Sequence, residues 1–339
     1  MNKGGFFIFL SSSAFLLSGC SSLMFSLNES SCEANDGNSC EWLAQQYQAG
    51  TMVEKSITTA LDYYKKACNF GQTSSCVVLA TTYENGDGIK KSYQTSNKYY
   101  QQACDLGDAK SCTKLAKNYE KGLGIKQSLK NAQRHYQKGC DLHDPYSCYA
   151  LGKMYESGNG VSKSKKNAFK YYEKSCIGSG IGLVSGCYKI ATYYEKGIVV
   201  KRSYPDAFNY YRHSYCHIDD QSAYIQSLLK AAQFKEKGIG TTQSYLEAES
   251  LYSQACEKGA QMGCRKYAYI KKSGLAEPER QIELQRELQR QQAAQLEALK
   301  RERELAQLNY QLQQLSNSFK VQQTHCNRDM FGNLTCFTY

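Results

Sequence analysis

The sequence predicts an all-α solenoid of about six to seven 36-residue repeats, and three observations support this fold class. Cysteines recur at intervals of 36 residues, at Cys32, Cys68, Cys104, Cys140 and Cys176. The first four of these are each followed by a second cysteine after eight residues. The same two stretches of helical periodicity return between the cysteines. A fixed period of this length is typical of a solenoid, in which each unit contacts only its neighbours.

The start of the chain has the composition of a signal peptide. A short positive segment, MNK, precedes GGFFIFLSSSAFLLS, an uncharged run of 15 residues that is too short to span a bilayer comfortably. We predict a signal peptide over residues 1–19 and a lipid-anchored linker over residues 20–31. Residues Leu17 to Cys20 resemble the bacterial lipobox, which implies cleavage before Cys20 and lipid attachment to its thiol. Cleavage of an ordinary signal peptide nearby is the alternative.

These features indicate a protein of the bacterial cell envelope. Ser21 and Ser22 follow Cys20, and without an Asp there nothing indicates retention at the inner membrane. We expect the protein to be lipid-anchored in the outer membrane and to face the periplasm. The net charge of +11 is spread along the chain, which is typical of solvated helix faces. Nucleic acid is not an expected partner in this compartment.

Each repeat is predicted to be a pair of antiparallel helices. The first segments align as VVLATTYENGDGI, TKLAKNYEKGLGI, YALGKMYESGNGV and YKIATYYEKGIVV, and the second segments end as ALDYYKKAC, SNKYYQQAC, AQRHYQKGC and AFKYYEKSC. A small residue four positions past the second cysteine lets a neighbouring helix approach closely: Ala44, Ala80, Ala116, Gly152 and Ala191. A glycine six residues later ends the helix, because a C-terminal cap often needs positive φ.

Sixteen cysteines in an exported chain predict disulfides, since zinc clusters would need short C-x-x-C motifs and the sequence has none. One cysteine ends a unit and the next begins the following unit, so each bond would join consecutive helical pairs. Closing so short a loop is worth roughly 2 to 3 kcal/mol in the chain-entropy estimate. The predicted pairs are Cys32 with Cys40, Cys68 with Cys76, Cys104 with Cys112, Cys140 with Cys148, Cys176 with Cys187, Cys256 with Cys264, and Cys326 with Cys336.

The YENGDGI-type segment, the YYxxAC-type ending and the 36-residue period resemble Sel-like repeats, which are relatives of tetratricopeptide repeats. The cysteines eight residues apart are similar to those of the Helicobacter cysteine-rich protein family within that group. The resemblance covers about residues 32–275 and implies a right-handed solenoid of disulfide-clipped repeats with a concave face. For function it implies protein binding. It also implies weak penicillin binding or β-lactamase activity, which is described for some members.

The repeat is irregular at two junctions. The fifth, from Cys176 to Cys187, is three residues longer and rich in glycine, and a disulfide remains the expectation. At the sixth, counting ten residues back from Gly238 puts Leu228 where a second cysteine belongs, so Cys216 has no partner. The connection HIDDQSAYIQS is also four residues longer than usual.

Cys216 lies in the stretch HSYCHIDD and has three interpretations: a buried free thiol, which we favour, an intermolecular disulfide, or a metal ligand. His213, Cys216 and His217 would share one helical face, and Asp219 or Asp220 would be a fourth ligand for zinc. We expect the helix to end near Cys216, which would separate these ligands. The prediction is therefore no metal, and a hinge at this junction.

After Gly274 the composition changes to Gln, Glu, Arg and Leu, which predicts a long helix or coiled coil over residues 276–320. Five apolar residues keep the 3,4 spacing of a coiled-coil seam: Leu305, Leu308, Leu312, Leu315 and Phe319. This seam predicts a homo-oligomer, and an amphipathic helix that folds back on the solenoid is the alternative. In the tail, residues 321–339, Gly332-Asn333 indicates a hairpin turn, which Cys326 and Cys336 would close.

The sequence contains weak matches to the motifs of penicillin-recognising serine enzymes, which need S-x-x-K, S-x-N and K-[ST]-G on a mixed α/β scaffold. The segments from Ser111 to Lys114 and from Ser227 to Lys230 fit the first motif, and Lys272-Ser273-Gly274 fits the third. These positions coincide with repeat positions that packing explains, so we predict no catalytic residue. We also expect no cofactor.

Two functions from different classes remain. The favoured one is a lipid-anchored envelope scaffold that binds a protein or peptide partner on a face of the solenoid. The alternative, which the resemblance implies, is a weak penicillin-binding protein or β-lactamase-like hydrolase. The sequence identifies neither the partner nor the biological process.

Overall fold

A computed structural model describes residues 13–177, 182–213, 220–320 and 324–338. Within these ranges the side chains of residues 13–21, 213, 317–320, 324–326 and 337–338 are not described. The helices are α1 (Ser13–Glu33), α2 (Gly37–Ala49), α3 (Ile57–Asn69), α4 (Thr73–Asn85), α5 (Tyr93–Asp105), α6 (Ala109–Lys121), α7 (Leu129–Asp141), α8 (Pro145–Ser157), α9 (Lys165–Ile177), α10 (Val184–Lys196), α11 (Tyr204–His213), α12 (Gln221–Lys237), α13 (Tyr245–Glu257), α14 (Gln261–Ser273) and α15 (Glu277–Lys320). Two strands follow, β1 (Thr324–Arg328) and β2 (Leu334–Thr338).

The predicted solenoid is confirmed. Six helical pairs run from α2–α3 to α12–α13, and each packs on the next; we call the first helix of a pair its A helix and the second its B helix. A further A helix, α14, packs on α13. The core is a series of apolar clusters between neighbouring pairs, because no pair buries its apolar side chains alone.

Side chains and glycines mark the ends of these helices. Four A helices start after an aspartate whose carboxylate accepts backbone N–H groups of the first turn: Asp36, Asp108, Asp144 and Asp220. Six B helices start after a serine whose hydroxyl does the same: Ser56, Ser92, Ser128, Ser164, Ser203 and Ser244. Each such cap stabilises a helix by about 1 kcal/mol. The predicted stop glycines, such as Gly86 with φ of 85°, adopt the left-handed conformation.

The small residues that recur in the A helices have the predicted packing role. Ala44, Ala80, Ala116 and Ala191 have no exposed surface. At Gly152, a Cβ atom would lie 2.5 Å from the ring of Tyr172, the fully buried tyrosine of the following B helix. Any larger residue at these positions would push the A helix away from its neighbours.

Six disulfides join the end of one B helix, or of α1, to the first turn of the next A helix, with Cα–Cα distances of 4.5 to 4.8 Å. They are Cys32–Cys40, Cys68–Cys76, Cys104–Cys112, Cys140–Cys148, Cys176–Cys187 and Cys256–Cys264. In the tail, Cys336 is also disulfide-bonded, and the strand register sets it opposite Cys326, whose side chain lies outside the described part.

The sixth junction differs from the expected long connection. The four extra residues lengthen α12 instead, which begins at Gln221 after the cap Asp220. Leu228 is 2% exposed in the place of the missing cysteine, and Ala223 and Tyr224 on the added turn are also buried. The extra turn therefore adds apolar surface to this interface.

The two ends of the chain pack differently. The segment 20–31 lies within α1, and Phe25 packs against Trp42 with ring centroids 6.1 Å apart, so α1 covers the first A helix. By contrast, α15 is held only near its start, and its described side chains from 280 to 316 are all exposed. Its 44 residues extend about 66 Å, at about 1.5 Å per residue. None of the helices in the described ranges combines the length and apolar character needed to span a bilayer.

Candidate functional site

Several site residues predicted from the sequence fall outside the described part of the structure. These are the side chains of Cys20 and His213, and the whole of Cys216, His217 and Asp219. Asp220 is described, and its Oδ1 accepts the N–H groups of Ser222 and Ala223 as the cap of α12. This carboxylate is therefore occupied by helix capping.

The serine motifs lack the geometry of a nucleophile and base. Ser111 and Ser227 are 1% and 0% exposed, and neither Oγ has a hydrogen-bond partner among the described residues. The lysines of the same motifs bind glutamates instead, with Lys114 on Glu84 and Lys230 on Glu195. A serine nucleophile needs a base within hydrogen-bond reach and access for substrate, and these two serines have neither.

The regular feature of the A helices is a row of glutamates eight residues past the second cysteine, or past Leu228 in α12; we call it the glutamate ladder. Each glutamate accepts a hydrogen bond from a tyrosine of the following B helix, at 2.5 to 2.9 Å. The pairs are Glu84 with Tyr100, Glu120 with Tyr136, Glu156 with Tyr172, Glu195 with Tyr211, and Glu236 with Tyr252.

A lysine from the next A helix completes most steps of the ladder. Its ammonium lies 2.7 to 3.1 Å from the glutamate in four steps: Lys114–Glu84, Lys189–Glu156, Lys230–Glu195 and Lys266–Glu236. Because these groups are partly solvated, each ion pair contributes at most about 1 kcal/mol. The ladder therefore fixes the polar pattern of the A-helix face more than it stabilises the fold.

In the step formed by Glu156, Tyr172 and Lys189, burial and hydrogen bonding shift the pKa values of the glutamate and the tyrosine. Burial alone would raise the pKa of the Glu156 carboxyl, but the hydrogen bonds from Lys189 and Tyr172 outweigh it and lower that pKa. Burial, followed by the bond to Glu156, raises the pKa of Tyr172. In this step Glu156 is thus an anion, and Tyr172 a neutral donor, at neutral pH.

Several tyrosines outside the ladder pack within the units. Rings of an A helix and its B helix stack in parallel with centroids 5.4 to 5.9 Å apart, as for Tyr83 with Tyr99 and Tyr155 with Tyr171. In the third unit His135 takes one tyrosine position and stacks on Tyr119. These stacked rings therefore contribute to the packing of each helical pair.

Repeated helical pairs joined by disulfides define a helical-repeat solenoid of the scaffold class, in which each unit contacts only its neighbours. The Sel1 repeat matches residues 38–69, 73–108, 109–144, 145–178, 184–215 and 225–259, more than half of the chain. The chain therefore belongs to the Sel1 repeat family, and the resemblance found in the sequence is confirmed. Sel1 repeat proteins generally mediate protein interactions.

Solved structures with the same fold include c5321, a protective antigen present in uropathogenic Escherichia coli strains. It is 25% identical, with a TM-score of 0.63, over 74% of this chain and 52% of that one, so the match spans about half of its length. A Sel1 repeat protein from Oxalobacter formigenes is 21% identical, with a TM-score of 0.51, over 66% and 89% of the two chains.

Helicobacter pylori cysteine rich protein B is also similar. It is 35% identical over 38% of this chain and 91% of that one, with a TM-score of 0.30. A search of curated proteins found no significant match.

Proposed function

We propose that the protein is a lipid-anchored scaffold of the bacterial envelope that binds a protein or peptide partner on its A-helix face. The observation that carries the proposal is the continuous array of Sel1 repeats with a regular polar A-helix face. Such arrays present extended surfaces for partner recognition. The lipobox-like segment ending at Cys20 supports the anchor.

The disulfides support an oxidising compartment. Six junction disulfides would not persist in a reducing cytosol, and they suit a small-unit protein of the periplasm. They also restrain neighbouring units, so the A-helix face is held in one arrangement before it meets a partner. A preorganised face lowers the entropy lost on binding.

The exposed leucines of α15 support self-association. Leu305, Leu308, Leu312 and Leu315 are 52% to 58% exposed and keep coiled-coil spacing. Pairing with a second copy would bury this seam, with the solenoids displayed beyond it. Light scattering of the mature protein at micromolar concentration tests this step, and a monomeric mass would contradict it.

Crosslinking in cells tests the scaffold function. A photo-reactive residue at Thr81 or Thr192, at equivalent positions of two A helices, should capture a defined partner. The same residue at Lys98 on B helix α5, an exposed position, is the matched control and should capture much less. Equal capture at all three positions, or none at the A-helix positions, would contradict the proposed face.

Cys20→Ala should release the protein from the membrane fraction; unchanged sedimentation would contradict the anchor.

A further inference from the structure

The A-helix face contains a cavity of about 670 Å³ at the centre of the array. It lies between α6, α8 and α10, three consecutive A helices, with a contribution from α7. Its lining includes Glu120, Tyr136, Tyr149, Ala150 and Lys153. A cavity of this size holds one or two side chains of a peptide.

The cavity coincides with the one step at which a ladder glutamate in the described residues lacks its lysine. Ala150 occupies the position that Lys114, Lys189, Lys230 and Lys266 hold in other A helices. Glu120 accepts the hydroxyl of Tyr136 at 2.9 Å, and no ion pair of this carboxylate is found among the described residues. The position of the missing lysine side chain therefore lies within the cavity, whose lining also includes the intact pair of Glu156 and Lys189.

The first unit shows how the ladder changes when both charges are absent. There Gln48 replaces the glutamate and accepts the hydroxyl of Tyr64, and Val78 stands in the lysine position. That step therefore contains neither an anion nor a cation. The step at Glu120 keeps the carboxylate and its tyrosine donor, but Ala150 stands where the lysine would be.

The rim of the cavity carries the opposite charge. Lys117 and Lys153 lie at equivalent positions of α6 and α8, and Lys121 follows on α6. The ammonium groups of Lys117 and Lys153 lie 5.9 Å from the ring centroids of Tyr146 and Tyr149, and none of the three lysines forms an ion pair within the described ranges. Other A helices have Thr81, Thr192 and Gln233 where these two lysines stand.

We infer that this cavity is the peptide-binding site of the scaffold, and that it takes a basic side chain flanked by acidic residues. This rests on the proposed scaffold function. The basic side chain enters beside Ala150 and donates to Glu120, which completes the ladder in trans. The flanking carboxylates meet Lys117, Lys121 and Lys153 at the rim. An arginine suits the cavity especially, because its planar cation also packs on tyrosine rings.

Fluorescence anisotropy with defined probes tests the site. The probe is a fluorescein-labelled peptide with one arginine between two pairs of glutamates; the reference peptides carry norleucine for the arginine, or glutamine for the glutamates. The mature protein should bind the probe about tenfold more tightly than either reference, as expected for the loss of charge-assisted hydrogen bonds. Equal binding of the probe and the norleucine peptide would overturn the proposal.

Two variants and one matched control locate the binding. Ala150→Lys should fill the cavity, pair with Glu120 and weaken probe binding about tenfold, without lowering the melting temperature. Glu120→Gln should weaken binding of the probe and leave binding of the norleucine peptide unchanged. Gln94→Lys adds the same charge at an exposed position of B helix α5, away from the A-helix face, and should bind the probe like the wild type. Unchanged binding by Ala150→Lys would overturn the site.

Combining Ala150→Lys with the photo-reactive residue at Thr192 separates this inference from the scaffold function. Loss of the captured partner in Ala150→Lys supports the site. Capture that persists unchanged leaves the scaffold function standing and overturns the cavity as its binding site. Failure of capture in the otherwise wild-type protein contradicts the scaffold function itself.

Discussion

The junction between α7 and α8 and the junction between α11 and α12 connect the same kinds of helices by different means. In the first, Cys140–Cys148 closes an eight-residue separation, and Asp144 accepts hydrogen bonds from Thr113 at 2.6 Å and from the N–H of Ser147. In the second, Leu228 replaces the cysteine, and α12 gains a turn.

The second junction replaces the covalent link with apolar burial. Leu228 belongs to one continuous core cluster that extends from Val184 to Ala276. Phe234 packs edge-on against Tyr211 with centroids 5.8 Å apart and stacks with Phe208. The cluster around Cys140 and Cys148 is smaller and includes the disulfide itself. A solenoid junction can therefore be stabilised either through the unfolded state, by a disulfide, or through the folded state, by packing.

The largest expected effect is the loss of packing at the junction without a disulfide. Leu228→Ala should lower the free energy of unfolding by about 2 to 5 kcal/mol, because it removes buried methyl groups and leaves a cavity. Urea unfolding followed by circular dichroism measures this. Leu305→Ala, at a position 58% exposed on α15, is the control and should be nearly neutral. A loss at Leu228 as small as at Leu305 would show that packing does not hold this junction.

Removal of a junction disulfide should cost slightly less. Replacing both Cys140 and Cys148 with alanine should lower the free energy of unfolding by about 2 to 3 kcal/mol, since the unfolded chain regains the freedom of a short loop. The double alanine variant of Cys326 and Cys336, in the terminal hairpin, is the control and should leave solenoid unfolding unchanged. An unchanged midpoint for the Cys140 and Cys148 variant would mean that its hydrogen bonds and packing suffice.

Reduction should reverse the order of stability along the chain. With a reductant present, hydrogen exchange should rise at the junctions from α1 to α10 and change least over Gln221–Lys237, which depends on no disulfide at its start. The hinge predicted from the sequence, where Cys216 lacks a partner, implies instead that this junction exchanges faster than the disulfide-linked junctions in the oxidised protein. If 220–228 exchanges faster than the start of α8 before reduction, packing does not compensate for the missing disulfide.

The smallest expected effect is the loss of one tyrosine–glutamate hydrogen bond, and its cost should be the same next to either kind of junction. Tyr172 and Tyr211 each donate a hydrogen bond to a ladder glutamate that is paired with a lysine. Tyr172 precedes a junction with a disulfide, and Tyr211 precedes the junction without one. Either Tyr→Phe substitution should cost about 1 kcal/mol. Unequal costs would show that the disulfide also orders the ladder.

These tyrosines also predict a loss of stability at alkaline pH. Burial raises the pKa of Tyr172 and of Tyr211, and raises the pKa of Tyr193 to about 12. The unfolded tyrosines ionise near pH 10, so this contribution is complete below about pH 10 and is lost as the pH rises through the folded pKa values. Thermal unfolding from pH 8 to pH 11 should show a smaller loss for Tyr172→Phe than for the wild type. If the variant and the wild type lose stability equally between pH 8 and pH 11, ionisation of Tyr172 does not cause the alkaline loss.

The sequence predicted the structure correctly wherever a local backbone or packing requirement can be met by only one type of residue. The stop glycines follow from the need for positive φ, and the buried alanines follow from close helix approach, as at Ala80 and Gly86. It was a poor guide to the S-x-x-K matches, because Ser111 looks the same in sequence whether its hydroxyl is buried or accessible. The extra residues before Leu228 were interpreted as a longer connection, although Asp220 and the apolar Ala223 and Tyr224 favour a helical turn.

The sequence by itself determined the repeat, the pairing of cysteines eight residues apart and the long polar helix, because these depend on short-range spacing and composition. Tertiary structure alone decided which charges meet. Glu120 and Ala150 are 30 residues apart, and only the stacking of α8 on α6 and α7 shows that this alanine leaves a cation missing and a cavity open. Ion pairs between units depend on the distance between separate helices, and no local pattern in the chain encodes that distance.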